Sequence, residues 1–142
     1  MPGRGEVREY RGRIPAEYRA VDQVLGVVAE MIADAHPDDR FRFRLALREA
    51  LVNAVRHGCR LDPRREVAVE VRIEPRRWWA RVADGGEGFD WERWLGVRSA
   101  PSAEGGRGLR LLRLYADEVR FNERGNELCL ECRPHQATPE GR

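Results

Sequence analysis

Residues 49–58 read EALVNAVRHG, a helical pattern in which Glu49, Asn53 and His57 follow one another at steps of four. Asparagine is a poor helix former, because its amide competes for backbone hydrogen bonds and favours caps and turns. On a helical wheel the three polar residues fall within about 80° of one another, beside the apolar stripe. We therefore expect them to line a crevice where this helix meets the rest of the fold.

A purely structural explanation also fits part of this stretch. Glu49 would pair with a nearby arginine, His57 would cap the negative end of the helix, and Gly58 would be a C-cap. This explanation accounts poorly for Asn53, since it gives no reason for an amide in mid-helix.

The surrounding sequence changes its apolar period several times, and each change predicts a new element. The helix containing Asn53 is predicted over 38–59, with Asp38 or Asp39 as its N-cap. In chain order we expect an edge strand before Pro15, helices over 16–35 and 38–59, strands over 67–73 and 77–84, a loop over 85–104, a helix after Gly106, and a hairpin of strands 119–121 and 128–130. This order predicts an α+β fold, a two-layer sandwich with helices on one face of a mixed, mainly antiparallel sheet.

The length of 142 residues allows one domain, which we assign to residues 1–134, followed by a polar tail over 135–142. The net charge of +2, from 26 basic and 24 acidic residues, gives no argument for direct contact with nucleic acid or a membrane surface. No apolar run approaches the ~20 residues of a membrane span, and the first residues lack a signal-peptide core, so we expect a cytoplasmic protein. Three scattered cysteines predict reduced thiols.

Two residue types are informative by their scarcity. The sequence contains no lysine, which excludes a Walker A loop and the ordinary protein-kinase fold, because both need a specific lysine. Serine occurs only at Ser99 and Ser102, and no Gly-x-Ser-x-Gly elbow exists, which argues against a Ser-His-Asp hydrolase.

Asp84 ends the strand predicted over 77–84. It has the same parity as the apolar residues of that strand, so its carboxylate should point to the buried side, where it needs a partner. The following Gly86 and Gly88 allow close approach of a ligand or positive φ, although an aspartate with glycines also makes an ordinary turn.

A second glycine-rich stretch, Gly105, Gly106, Arg107 and Gly108, stands directly before the helix that begins near Leu109. Free backbone N–H groups and the helix dipole make such a junction a natural phosphate site, although it can also be a simple hinge.

Two further patterns have competing explanations. Cys129 and Cys132 with His135 suggest zinc, but residues three apart on a strand face opposite sides, so ordinary thiols are the alternative. Trp91 and Trp94 are either an apolar anchor that holds the 85–104 loop down or an exposed patch that docks a partner.

The three motifs EALVNAVRHG, DGGEGFD and GGRGL, in this order, resemble the N, G1 and G2 boxes of the GHKL nucleotide-binding fold, which gyrase-type ATPases, Hsp90-type chaperones and bacterial histidine kinases share. Within that superfamily the chain is most similar to the bacterial anti-sigma-factor serine/threonine kinases, from about Ile14 to Arg133. Its first predicted helix has no histidine before His36, so a sensor kinase, with its histidine-containing dimerisation helix pair, is the poorer match.

The resemblance implies a role for several residues. Asn53 would coordinate Mg²⁺, Glu49 would be the catalytic base, and Asp84 would accept a hydrogen bond from the adenine amino group, with Gly86 and Gly88 close to the base and sugar. The phosphates of ATP would be held by Gly105, Gly106, Arg107, Gly108 and Leu109, under a lid formed by residues 90–104. Many relatives place a threonine near the adenine-binding aspartate, and residues 125–128 occupy that region here.

The resemblance therefore implies an ATP- and Mg²⁺-dependent kinase that phosphorylates a serine or threonine of an anti-sigma-factor antagonist and sequesters a sigma factor. It also implies a homodimer. Two alternatives stay open: a nucleotide-dependent binding switch of the same fold that needs no Glu49, and a structural domain whose motifs are accidental.

Overall fold

Five strands form one sheet in the order β1-β2-β3-β5-β4, and every pairing between them is antiparallel in the computed structural model, which describes residues 7–84, 111–122 and 126–135. The elements are β1 (Arg8–Pro15), α1 (Tyr18–Met31), α2 (Pro37–Asn53), a π-helical turn (Ala54–Gly58), β2 (Glu66–Ile73), β3 (Trp78–Ala83), a helical segment at 111–115, β4 (Glu118–Phe121) and β5 (Glu127–Cys132). The sequence predicted each of these strands, including the edge strand that ends at Pro15.

The inner face of the sheet carries the side chains that alternation predicts. Val67, Val69, Val71 and Ile73 of β2 are buried, and Trp78, Ala80 and Val82 of β3 lie on the same side. The two strands pair with Val69 opposite Val82 and Val71 opposite Ala80, which brings the apolar residues of neighbouring strands into register.

The helices α1 and α2 cover this inner face. α1 contributes Val21, Leu25 and Val28, while α2 contributes Phe43, Leu47 and Leu51, all of them almost fully buried. Phe43 meets Trp78 of β3 edge to face, with ring centroids 5.6 Å apart. The core therefore lies between one helical layer and one sheet, as the α+β prediction requires.

The helix ends differ from the sequence prediction. α1 ends at Met31 rather than near residue 35. The N-cap of α2 is His36 rather than Asp38 or Asp39: its Nδ1 accepts a hydrogen bond from the Asp38 N–H at 3.1 Å. The physical reason is Pro37, which occupies the first helical position, where its missing N–H is harmless and its fixed φ suits the helix.

The end of α2 also differs from a simple helix with a C-cap. From Ala54 to Gly58 the backbone forms a π-helical turn, in which the Cys59 N–H donates to the Ala54 carbonyl at 2.9 Å. The left-handed conformation expected at Gly58 occurs instead at Arg60 and Leu61, with φ of 53° and 59°. Gly58 itself has no positive φ, so it is not a left-handed C-cap, and its glycine needs another explanation.

The outer face of the sheet is a charged lattice. Arg81 of β3 lies between Glu70 of β2 and Glu127 of β5, at 3.4 and 2.7 Å, and Arg11 of β1 pairs with Glu70 at 2.9 Å. Arg11 first, and then Arg81, hold the pKa of the Glu70 carboxyl below its ordinary value. No helix among the described residues has the length and apolar composition to cross a membrane.

Candidate functional site

The end of α2 and the ends of β3 and β5 enclose a small cleft on the helical side of the sheet. Its lining includes Asn53, Ala54, Val82, Asp84, Asn126 and Leu128. Two of the predicted site residues, Asn53 and Asp84, thus lie in one cleft although they are far apart in sequence. Glu49 is one helical turn before Asn53 and is not among the lining residues.

The Asn53 side chain carries a buried amide whose nitrogen has no hydrogen-bond partner in the part of the chain that the structure describes. An unpaired buried polar atom costs free energy, so such a group in a native fold needs an explanation. An amide that faces a cleft offers an oxygen ligand to a hard cation such as Mg²⁺. The orphan nitrogen is a donor and cannot bind a cation, but the Oδ1 of the same amide is a suitable ligand, so Asn53 would be the residue that holds Mg²⁺ in the cleft.

Glu49 has an environment that alters its protonation. Its side chain is only 15% exposed, and Arg48 lies 3.8 Å from its carboxylate. Burial raises the pKa of the Glu49 carboxyl, and the charges of Arg48 and Arg56 oppose that rise. A carboxylate with a raised pKa is a stronger base than a fully solvated one.

Asp84 follows the last residue of β3 and extends toward the π-helical turn. A Cβ atom placed on Gly58 would come within 2.7 Å of the Asp84 Cβ and still closer to its carboxylate. Glycine is therefore required at position 58 by the close approach of Asp84, not by its own backbone conformation. The Asp84 backbone N–H donates to the Asn126 carbonyl at 3.0 Å, which fixes this strand end against β5.

Two asparagines at the closed end of the β4–β5 hairpin were not singled out as a pair by the sequence. The Asn122 Nδ2 donates to the Asn126 Oδ1 at 2.6 Å, and the Asn126 N–H donates to the Asn122 Oδ1 at 3.0 Å. The sequence carries a signal for this pair, because asparagine favours the ends of hairpins, where its side chain forms hydrogen bonds with the backbone.

The remaining predicted nucleotide contacts lie outside the described residues. These are Gly86, Gly88, Gly105, Gly106, Arg107, Gly108 and Leu109, together with the lid over 90–104 and its Trp91 and Trp94. Their roles remain predictions. His57 lies in the π-helical turn, at the negative end of the helix where the structural explanation placed it.

The structure separates the two cysteines of the Cys129-x-x-Cys132 pattern. Cys132 is buried, with its pKa raised by burial to about 12, whereas Cys129 is half-buried on the opposite side of β5. They cannot bind one metal ion together. His135 instead contacts Asp39, at 2.7 Å from its Nδ1 to the carboxylate.

Comparison with known proteins assigns the class of this fold and site. Residues 14–132 match the model of the histidine kinase-like ATPase domain family, HATPase_c_2. The match covers most of the chain, so the protein belongs to this family, and the family implies an ATP-binding cleft. The GHKL fold and the resemblance to it are thereby confirmed.

Two individual proteins of known name are similar to this chain in sequence. The chain is 32% identical over 121 residues to the serine-protein kinase RsbW of Bacillus subtilis strain 168, which covers 79% of this chain and 70% of that protein. It is 36% identical over 91 residues to RsbW of Bacillus licheniformis, covering 58% of this chain but only 57% of that protein.

A solved structure shares the fold. The crystal structure of the RsbU and RsbW domains of Rv1364c from Mycobacterium tuberculosis superposes with a TM-score of 0.63 at 19% identity. The superposition covers 93% of this chain and 33% of that one.

Proposed function

We propose that this protein is an ATP- and Mg²⁺-dependent serine/threonine protein kinase that phosphorylates an anti-sigma-factor antagonist and sequesters a sigma factor. Family membership and the two relatives named serine-protein kinase support the kinase part of this proposal. The observation that carries it is the arrangement on α2, where Glu49 has a raised pKa one turn from the buried amide of Asn53.

The residues have separate roles in the proposed reaction. Asp84 accepts a hydrogen bond from the adenine amino group, and Asn53 supplies an oxygen ligand to the metal. When bound, Mg²⁺ neutralises charge on the phosphates of ATP. Glu49 accepts the proton of the attacking serine or threonine hydroxyl. The hydroxyl oxygen forms a bond to the γ-phosphorus, the bond from that phosphorus to the β,γ-bridging oxygen breaks, and ADP leaves with the electron pair.

A second candidate function is a nucleotide-dependent binding switch that holds a partner without phosphorylating it. Two observations favour it. Glu49 is not among the residues that line the described cleft. It also lies 3.8 Å from Arg48, whose guanidinium would compete with a substrate hydroxyl for the Glu49 carboxylate. The switch needs Asn53 and Asp84 but does not need Glu49.

The two functions are separated by incubating radiolabelled ATP with the protein and with candidate antagonist proteins encoded beside its gene. The kinase predicts label on a partner serine or threonine, and a loss of about 10²–10⁴-fold in Glu49→Gln with ATP affinity unchanged. Glu30→Gln on α1 is the matched control, because Glu30 is exposed and belongs to the other helix. Undiminished transfer by Glu49→Gln would remove Glu49 as the base, and no transfer to any partner by the wild type would favour the switch.

ATP binding itself is tested by titration of ATP against the wild type and Asp84→Asn. We expect the variant to bind at least ~10-fold more weakly, because it replaces a charged hydrogen-bond acceptor by an amide. Equal affinity of the two proteins would contradict the adenine-binding role of Asp84. Sigma-factor sequestration is tested separately, by co-purification of the protein with individual sigma factors in the presence of ATP or ADP.

A further inference from the structure

A cluster of two histidines and an aspartate lies at the opposite end of α2 from the nucleotide cleft. His36 and Asp39 belong to the start of α2, and His135 follows β5, 96 residues after Asp39. One ligand atom from each of the three side chains lies within 4.8 Å of the other two. The described residues contain no other such group of three. We propose that His36, Asp39 and His135 form a binding site for a divalent transition-metal ion, with Zn²⁺ as the best match.

Asp39 is the fixed part of this site. It is 3% exposed, although an aspartate is seldom buried so deeply. Its Oδ2 accepts the His135 backbone N–H at 2.7 Å, and its Oδ1 lies 2.7 Å from the His135 Nδ1. Because both oxygens of the carboxylate contact His135, the carboxylate is held in place and is preorganised as a ligand or as the partner that orients the His135 ring.

The two histidines are the movable part. Their rings stack with centroids 4.3 Å apart and planes 15° apart, and both side chains are about half exposed. The ligands of a tetrahedral zinc ion with Zn–N distances near 2.0 Å lie about 3.3 Å from one another. To close the gap from 4.8 Å, the imidazoles must rotate out of their stacked arrangement, and their exposure leaves room for that rotation. The capping bond that His36 accepts from Asp38 is also exposed, so water can replace it.

The donor set and the charge both suit such an ion. Two imidazole nitrogens and a carboxylate oxygen favour zinc over magnesium, which prefers oxygen ligands alone. The positive end of the helix dipole opposes a cation here, but Asp38 and Asp39 lie in the first turn and offset it. The Asp38 carboxylate is 76% exposed and lies 4.0 Å from the His36 Nδ1, so it is available as a fourth ligand.

A positive charge also lies near the proposed site: the Nη1 of Arg42 is 3.8 Å from the Asp39 carboxylate. Its guanidinium also donates to the Asp117 carboxylate and to the Tyr115 carbonyl, both at 3.2 Å. These contacts balance the charge of Arg42. The proposed site is thus separate from the cleft, since the 17 residues of α2 make a helix about 25 Å long.

The consequence of metal binding is a link between the start of α2 and the chain after β5. An ion that binds only the folded arrangement stabilises it by mass action, so Zn²⁺ raises the midpoint of thermal unfolding. This effect does not depend on nucleotide or on kinase activity, and it can therefore be tested independently of the proposed function.

The experiment titrates Zn²⁺ and Co²⁺ into chelator-treated, reduced, nucleotide-free protein in excess Mg²⁺. We expect one zinc ion per chain, an increased midpoint of thermal unfolding, and a visible Co²⁺ band without the near-ultraviolet band of a cobalt thiolate. His135→Ala and His36→Asn should each weaken binding at least ~10-fold. Asparagine at position 36 keeps an N-cap acceptor, so that variant removes the imidazole without removing the cap.

Two variants serve as matched controls. Arg133→Ala changes an exposed residue two positions before His135, and Cys129→Ser removes the more accessible thiol of β5, so both should bind Zn²⁺ like the wild type. No zinc binding by the wild type, equal affinity of His135→Ala and the wild type, or a cobalt thiolate band lost in Cys129→Ser would each overturn the proposal.

Discussion

The side chain of Asp84 lies directly against the Cα of Gly58, so closely that no larger residue fits at position 58 without displacing it. This contact joins the end of β3 to the π-helical turn after α2. It also ties the position of the predicted adenine acceptor to a residue that is expected to touch no nucleotide.

Gly58→Ala should therefore weaken ATP binding by at least ~10-fold, because the new methyl group moves the Asp84 carboxylate from its place in the cleft. Isothermal titration with ATP measures the effect. Gly26→Ala is the matched control: a Cβ there meets nothing within 4 Å, and alanine in the interior of α1 should stabilise the fold by up to about 1 kcal/mol. ATP affinity that is equal in Gly58→Ala and Gly26→Ala would contradict this role of Gly58.

The protonation of Glu49 gives a pH-dependent stability. Burial raises the pKa of its carboxyl in the folded protein, so the folded state binds that proton more tightly than the unfolded state does. The stabilising contribution is complete below the unfolded pKa and is lost as pH rises through the folded pKa. Glu49→Gln should consequently raise the free energy of unfolding near pH ~7.5, with little gain near pH ~4.

Urea unfolding of Glu49→Gln and wild type at the two pH values measures this difference, with Glu30→Gln as the control for a change at an exposed glutamate. A stability difference independent of pH would show that burial of the Glu49 charge is not its cause.

If Glu49 is also the base, the rate of phosphoryl transfer should fall as pH falls through its pKa, because the protonated carboxyl cannot accept a proton.

The charged outer face of the sheet should contribute modestly to stability. Arg81→Met keeps an apolar stem but removes the ion pairs to Glu70 and Glu127, and we expect a loss of about 1 kcal/mol at low salt that shrinks in high salt. Arg120→Met is the control, since Arg120 is 77% exposed and its ion pair is with Glu118 on its own strand. Denaturant unfolding at two salt concentrations measures the free energy of unfolding of both variants. A loss of stability in Arg81→Met that does not change with salt would show that packing, not the ion pairs, is its cause.

The thiols should differ in reactivity according to their burial. With a pKa of about 12, Cys132 has only about one thiolate in ten thousand molecules at pH ~8. Burial also raises the pKa of Cys59 and of the half-buried Cys129. Alkylation of the native protein, followed by mass spectrometry of peptides, should modify Cys129 first and Cys132 last, whereas in denaturant all three react together. Native labelling of Cys132 as fast as Cys129 would contradict the buried position of Cys132.

The sequence predicted the elements whose period is repeated several times. The alternation of β2 and the helical spacing of α1 and α2 are each specified by many side chains, so single exceptions do not hide them. The same alternation predicted a site residue. Asp84 is two positions after Val82, so its carboxylate was expected on the helical side of the sheet, and in the structure it lies on that side against Gly58.

Features set by a single residue or by distant pairs were harder to predict. The N-cap of α2 was assigned to an aspartate because aspartates favour that position, although Pro37 at the first helical position indicates His36. The contact of Asp39 with His135 has no local signal, because each residue alone has the pattern of an exposed polar side chain. The role of Gly58 likewise depends on Asp84, a residue 26 positions later that meets it only in the folded chain.

The π-helical turn determines the direction in which Gly58 faces relative to Asn53. Five steps of α-helix would turn Gly58 about 140° away from Asn53, whereas the wider turn from Ala54 to Gly58 leaves them only about 50° apart. Deleting one residue of this turn would leave four steps of regular α-helix, which place Gly58 about 40° from Asn53, so Gly58 would keep nearly the same direction. The π-helical turn thus accommodates one residue more than a regular helix would, at nearly the same orientation of Gly58 toward Asp84.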